Sequence, residues 1–169
     1  FEDCRIPAEN VLGEIGAGFA PMQLRLVVRR LQIGTWCIGM CRRALDMMCS
    51  HAKQRTTFGA LLADRQAVQW WIADAAIKMH ACRLMVQDAA RKQDLGIDIR
   101  TEASMIKVYA TEMAQGVIDN AMQCFGAMGM TKEMPLHMLA GRVRNMRIYD
   151  GPSEVHRMVV ARNLMDTRP

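Results

Sequence analysis

Three short stretches hold the residues best able to do chemistry in this chain. The first is QRTTFG, Gln54 to Gly59, with Arg65 and Gln66 at the next helix start. The Arg55 guanidinium is a planar fork of N–H donors that suits phosphate oxygens. Its plainer role is that of an arginine just past a helix, offsetting the negative end of the macrodipole. The second stretch is QCFGAMGM, Gln123 to Met130. Its Gly126 and Gly129 let backbone lie close to another group, and they also stop a helix. The third, RIYDGPSEVHR from Arg147 to Arg157, centres on Asp150. A carboxylate can take a proton once the heavy atoms come within about 3 Å. An Asp-Gly pair before a helix is also an ordinary turn.

The elements that must position these residues read as helices. Residues 1–14 contain Pro7, Asn10 and Gly13 between short apolar positions, which suits an extended arm or a last strand. After Gly16 and Gly18, Leu24, Val27, Val28, Leu31, Trp36, Ile38, Met40 and Leu45 keep helical spacing to about Ala52. A second helix is expected from Asp64, as N-cap, to just before Gly96. A third starts near Asp98 or Thr101 and ends at Gly126–Gly129. A short helix follows Pro135 as far as about Arg147. A last helix follows the turn Tyr149-Asp150-Gly151-Pro152, with proline at its first position, where the missing N–H costs nothing. No strand-period run is visible. The expected fold is all-α, an up-and-down helical bundle over residues 15–169 preceded by the short extended arm.

Composition narrows the function. The net charge is +5 over 169 residues, enough length for one good core. Acidic residues are interspersed with the arginines, and aromatics are too sparse for a base-stacking surface, so nucleic acid is not the expected partner. No apolar run approaches the ~18 residues needed to cross a bilayer. The six cysteines include no C-x-x-C pair and no histidine at ligand spacing, so no metal is expected. They read as free thiols in a reducing compartment. His51, His80, His137 and His156 suit packing or surface roles, and Trp36, Trp70 and Trp71 suit a core or an interface.

Taken together, in this order and spacing, the three stretches resemble the acyl-CoA dehydrogenase family across the whole chain. The opening FEDCRIPAENVLGEIGAGF is similar to that family's passage from its middle β domain into its C-terminal helical bundle. The resemblance therefore implies that residues 1–14 are the tail of a β domain and that the chain is part of a longer enzyme. It implies FAD as cofactor, an acyl-CoA substrate, an electron-transfer flavoprotein as electron acceptor, and a homodimer or homotetramer. The compartment would be the cytoplasm of a bacterium, or the mitochondrion or peroxisome of a eukaryote.

The resemblance also assigns roles. Arg55 matches the R-x-x-F-G arginine that contacts the FAD pyrophosphate of a neighbouring subunit. Phe58 and Gln66 match residues close to the cofactor. Gln123, Gly126 and Gly129 match the Q-x-x-G-G-x-G loop around the ADP half, with Ala127 and Met128 departing from it. Asp150 stands where most relatives have the glutamate that removes the substrate α-proton, and its side chain is shorter by about 1.5 Å. Pro152 and Glu154 replace a threonine and a glutamine that contact flavin, as in a branch carrying D-G-P-x-E-V-H. Arg30 and Gly151 fall where relatives meet the acyl-CoA, and Arg30 reads equally well as a surface charge on a basic helix. No acidic residue lies between Ile15 and Leu45, where some relatives place the base instead. The same motifs, decayed, would suit an assembly bundle without redox activity. The fragment alone is expected to be inactive.

Overall fold

The computed structural model describes residues 1–167. Five helices carry the fold: α1 (Phe19–Ala52), α2 (Gln66–Asp94), α3 (Arg100–Phe125), α4 (Pro135–Met146) and α5 (Ser153–Thr167). Their succession is up, down, up, down, up, so the expected all-α bundle is what the chain forms. Residues 1–20 are exposed throughout, and the arm holds only one 3-10 turn, Ala8–Asn10.

α3 is the central helix and packs against each of the others, most extensively against α1. Its inward stripe is built of small and β-branched side chains, among them Ala103, Ile106, Ala110, Ala114, Val117, Ile118 and Ala121. Small residues allow helix axes to approach closely. At Gly34 of α1 there is no room for a side chain: a Cβ would stand 2.7 Å from Ile106 and 2.8 Å from Val86. Cys37, Cys41 and Cys82 fill the same seam as small apolar groups. Burial pushes the Cys37 thiol up to about 12 and that of Cys82 up to about 11.

The helix ends follow the turn chemistry, with three departures. Gly96, at φ 73°, closes α2 with its N–H on the Gln93 carbonyl and that of Ile97 on the Lys92 carbonyl. Asp98 stands one residue before the cap of α3, which is Ile99, and its carboxylate accepts the Arg100 N–H at 3.0 Å. Asp64 is not the cap of α2: it ends a 3-10 turn, and Arg65 holds the cap position without a side-chain bond. Pro152 is not inside α5 either; its carbonyl accepts the His156 N–H, which makes it the residue before the helix. A small hairpin also forms, with β1 (Thr56–Thr57) paired to β2 (Ala60–Leu61) across Phe58 and Gly59. Two-residue strands are too short to leave a period in the sequence.

Two of the three tryptophans stay at the surface. Trp36 and Trp70 are 41% and 61% exposed, so neither belongs to the core of this chain, and Trp71 is half-buried.

Candidate active site

The turn between α4 and α5 is anchored by side chains from three helices. Asp150 sits in the left-handed region at φ 55°, and Gly151 follows at φ 98°. Aspartate is among the few residues with a side chain that adopt this conformation with tolerable strain. Gly151 has no such alternative. A Cβ there would come 2.6 Å from Nε2 of His156, besides the backbone strain.

Four side chains from three helices hold the turn. Arg30 Nε, on α1, donates to the Asp150 carbonyl at 3.2 Å. His156 Nε2, on α5, donates to that carbonyl at 3.1 Å. Lys107 Nζ, on α3, donates to the Gly151 carbonyl at 2.9 Å. Arg29 Nε lies 3.4 Å from Oδ2 of the Asp150 carboxylate. Burial lowers the His156 imidazole from its usual range, so the ring is neutral near pH 7. Nδ1 lies 3.1 Å from the Ser104 hydroxyl, whose proton it shares with the Arg100 carbonyl at 2.9 Å. Lys107 is fully buried, and desolvation brings its ammonium down to about 8 against the raising influence of Asp150.

A second clamp flanks the turn on both sides. Glu112 of α3 accepts a fork from Arg157 at 2.7 and 2.6 Å, and Arg147 reaches it at 3.5 Å. The Arg157 hydrogen bonds hold the Glu112 carboxyl below its usual range. Glu154 is exposed and faces Arg147 at 3.8 Å. The Asp150 carboxylate remains reachable, with 22% of its side chain exposed. It therefore has what a general base requires, a fixed position and an open path.

The remaining candidates gather at the other end of the bundle. His51 stacks on Phe125 with ring centroids 4.1 Å apart, tying the end of α1 to the end of α3. The hairpin with Arg55 and Phe58 and the 3-10 turn Gly126–Met130 leave the bundle at that same end. Phe58 is fully exposed at φ 50°, Arg55 and Gln66 are exposed, and Gln123 faces outward from α3. Among the described residues no carboxylate pairs with Arg55. Gly126 needs its φ of 61°. Gly129 is required by packing within the chain, because a Cβ would stand 2.5 Å from the Met122 carbonyl oxygen. These groups lie some 20 residues along α1 from Arg30, roughly 30 Å at 1.5 Å per residue. One chain thus does not bring its two groups of candidates onto one small molecule.

Sequence reading had passed over Arg29, Ser104, Lys107 and Glu112, and had given His156 only a packing or surface role. The available signal was Lys107 itself, a lysine on the stripe shared by Ala103, Ala110 and Ala114. A groove of about 750 Å³ between α2, α3 and α5 is lined by Met85, Met105, Tyr109 and Val160, with the Glu112–Arg157 pair on its wall; Asp150, Arg30 and the residues around Arg55 do not line it. Among the described residues no cluster of three His, Cys, Asp or Glu side chains forms a metal site, and no helix is long and apolar enough to cross a membrane.

Fold and site together define an all-α bundle domain that presents one anchored carboxylate at one end and an arginine-bearing hairpin at the other. Residues 16–165 match the family described as acyl-CoA dehydrogenase, C-terminal domain, and the chain belongs to that family. It is 44% identical over 166 residues to (R)-benzylsuccinyl-CoA dehydrogenase of Thauera aromatica, covering 98% of this chain and 41% of the relative. It is 39% identical over 165 residues to the mitochondrial short-chain specific acyl-CoA dehydrogenase of Bos taurus, covering 98% of this chain and 40% of the relative. A solved structure described as the FAD complex of PigA superposes with a TM-score of 0.90 at 29% identity, over 97% of this chain and 43% of that one. The chain spans about two-fifths of the length of these relatives.

Proposed function

We propose that this chain supplies the base, and part of the cofactor-holding surface, of an FAD-dependent acyl-CoA dehydrogenase that desaturates an acyl-CoA between its α- and β-carbons. The observation that carries this reading is the Asp150 turn. Two donors on its carbonyl, one on that of Gly151 and an arginine beside the carboxylate fix one acid in a strained conformation. Strain held in place by so many contacts is typical of functional sites.

Asp150 takes the α-proton on its carboxylate as the double bond forms. Bound FAD supplies the acceptor for the hydrogen and electron pair that leave the β-carbon. Arg30, His156 and Lys107 hold the turn in register, so that little reorganisation accompanies the transfer. The side chains at the far end suit the cofactor: Arg55 offers an unpaired fork for a pyrophosphate, and Phe58 an exposed ring for a nucleotide face. Gln66, Gln123 and the backbone at Gly126 and Gly129 would complete that surface. Pro152 and Glu154 stand at the Asp150 end, where flavin contacts would be local. The roughly 30 Å between the two ends supports a cofactor held between subunits of a homodimer or homotetramer, Arg55 serving one active site and Asp150 another. Arg30 and Gly151 lie where the acyl thioester would reach Asp150.

Residues 1–14 are then the tail of a preceding β domain. Electrons would leave to an electron-transfer flavoprotein, as the family resemblance implies. All six cysteines are free, which suits a reducing compartment: a bacterial cytoplasm, or a mitochondrion or peroxisome. A reading as a pure assembly bundle draws on the exposed Phe58, Trp70 and Met130. It gives no account of the groups converging on Asp150.

The test is the intact protein, purified and mixed anaerobically with acyl-CoAs of different chain lengths. Flavin absorbance that bleaches with at least one of them supports the enzyme. Protein without flavin, or flavin that no acyl-CoA bleaches, supports the assembly bundle. The 169-residue chain by itself is expected to show weak or no turnover.

A further inference from the structure

We infer that Arg29 binds a carboxylate carried by the acyl chain, so that the enzyme's preferred substrates are CoA thioesters with an acid group on the β- or γ-carbon. The inference rests on Asp150 being the base.

The charge around the turn is unbalanced. Arg29, Arg30 and Lys107 face one carboxylate, Asp150, and His156 is neutral at pH 7. Excess charge in a partly buried site is costly unless a ligand completes it. Two of the three cations already have fixed partners, since Arg30 and Lys107 donate to the carbonyls of Asp150 and Gly151. Arg29 differs. Its Nε makes only the 3.4 Å approach to Asp150, its side chain is 31% exposed, and its two terminal nitrogens have no acceptor among the described residues. The Trp36 ring, 4.3 Å from the guanidinium carbon, fixes the plane of the fork and leaves those nitrogens for a ligand.

Geometry selects where the anion sits. A substrate α-carbon must come within about 3 Å of the Asp150 carboxylate to lose its proton. With Oδ2 3.4 Å from Arg29 Nε, an α-carbon at that oxygen lies no more than roughly 6 Å from the arginine, a gap that an acid group on the next one or two carbons bridges to a bidentate pair. The phosphates of CoA lie at the far end of the pantetheine arm and cannot occupy this point while the thioester is at Asp150. An acid group that takes Arg29 also releases Asp150 from its own counter-ion, leaving the base for the α-proton.

The test uses the intact FAD-loaded protein and two matched pairs, succinyl-CoA against butyryl-CoA and glutaryl-CoA against pentanoyl-CoA. The readouts are kcat/KM for flavin reduction and, on the Asp150→Asn protein, Kd by calorimetry. The wild type should favour at least one acid-bearing ester over its neutral partner. Arg29→Gln should lower that ratio roughly 10- to 100-fold, the size expected for a hydrogen-bonded charge pair. Arg29→Lys should retain part of it. Because the ratio is read within one variant, any general effect on Asp150 cancels. A neutral ester turned over equally well, with a ratio that Arg29→Gln leaves unchanged in both readouts, overturns the role of Arg29 while the dehydrogenase reading stands. Flavin that none of the four esters nor any other acyl-CoA bleaches overturns both.

Discussion

Lys107 Nζ on the central helix donates at 2.9 Å to the carbonyl of Gly151, 44 residues further along the chain. The lysine is wholly buried, in the seam that also holds Cys37. A buried ammonium carries a large desolvation cost, and here it is set against one carbonyl of the turn that carries Asp150. The arrangement ties the core of the bundle to the placement of the proposed base.

The first prediction concerns the charge on Lys107. Burial lowers its value to about 8, below the ~10.4 of an unfolded lysine. Between these two values the unfolded chain binds more protons, so this group makes stability rise with pH across that window. Urea unfolding of wild type and Lys107→Met at pH 7 and pH 9.5 should show the difference between them growing in favour of wild type at the higher pH. A difference independent of pH would mean that the lysine titrates normally.

Gly151 should tolerate no side chain. Alanine there meets the His156 ring as well as an unfavourable φ, and Gly151→Ala is expected to cost roughly 1–3 kcal/mol. Thermal unfolding of the variant measures it. Gly141, with nothing within 4 Å of a built Cβ and an ordinary φ inside α4, is the control, and alanine there should be neutral or stabilising.

Glu112 should make the turn acid-sensitive. Its carboxyl lies below its usual range through Arg157, so its contribution is present above the unfolded value near 4.3 and is lost as pH falls through the folded value. Glu112→Gln should therefore lower Tm at pH 7 and flatten its decline between about pH 5 and pH 3. Equal acid slopes in the two proteins would remove the clamp from the account.

Thiol reactivity should divide by burial. Cys4 is exposed, whereas Cys37, Cys41 and Cys82 are buried and their thiols are pushed upward by desolvation. Native protein treated with iodoacetamide at pH 8 should label at Cys4 and spare these three, as mapped by mass spectrometry. Prompt labelling of Cys37 would show that the seam opens.

Much of this was legible in the residues. The 3.6-residue spacing of apolar positions located the three long helices, and Pro135 and the turn ending at Pro152 announced the two shorter ones. Gly96 and the Gly126–Gly129 stretch marked limits, because punctuation by glycine and proline is local chemistry. The apolar positions of the last helix, Val155, Met158 and Leu164, are exposed. Asp64 and Pro152 were each displaced by one position, since cap geometry depends on dihedrals that residue identity only biases. The hairpin around Phe58 was invisible, being too short for a period. The anchoring of Asp150 was illegible for another reason. Arg29, Ser104, Lys107 and Glu112 lie between 38 and 121 residues from it in sequence, and only the side-by-side packing of α1 and α3 brings them to the turn. Sequence resemblance pointed to Asp150 and Arg30, while the physical reason that position 150 accepts aspartate, its left-handed φ, appears only in the fold.

The most direct measurement is made on Asp150→Asn in the intact protein. Asparagine tolerates the left-handed conformation as aspartate does and keeps the side chain's size, so fold and flavin content should be retained. With a good acyl-CoA substrate, the rate of anaerobic flavin bleaching should fall about 10²- to 10⁴-fold, the loss expected for a general base. A folded, flavin-loaded variant that bleaches at the wild-type rate would contradict the account and place the base elsewhere.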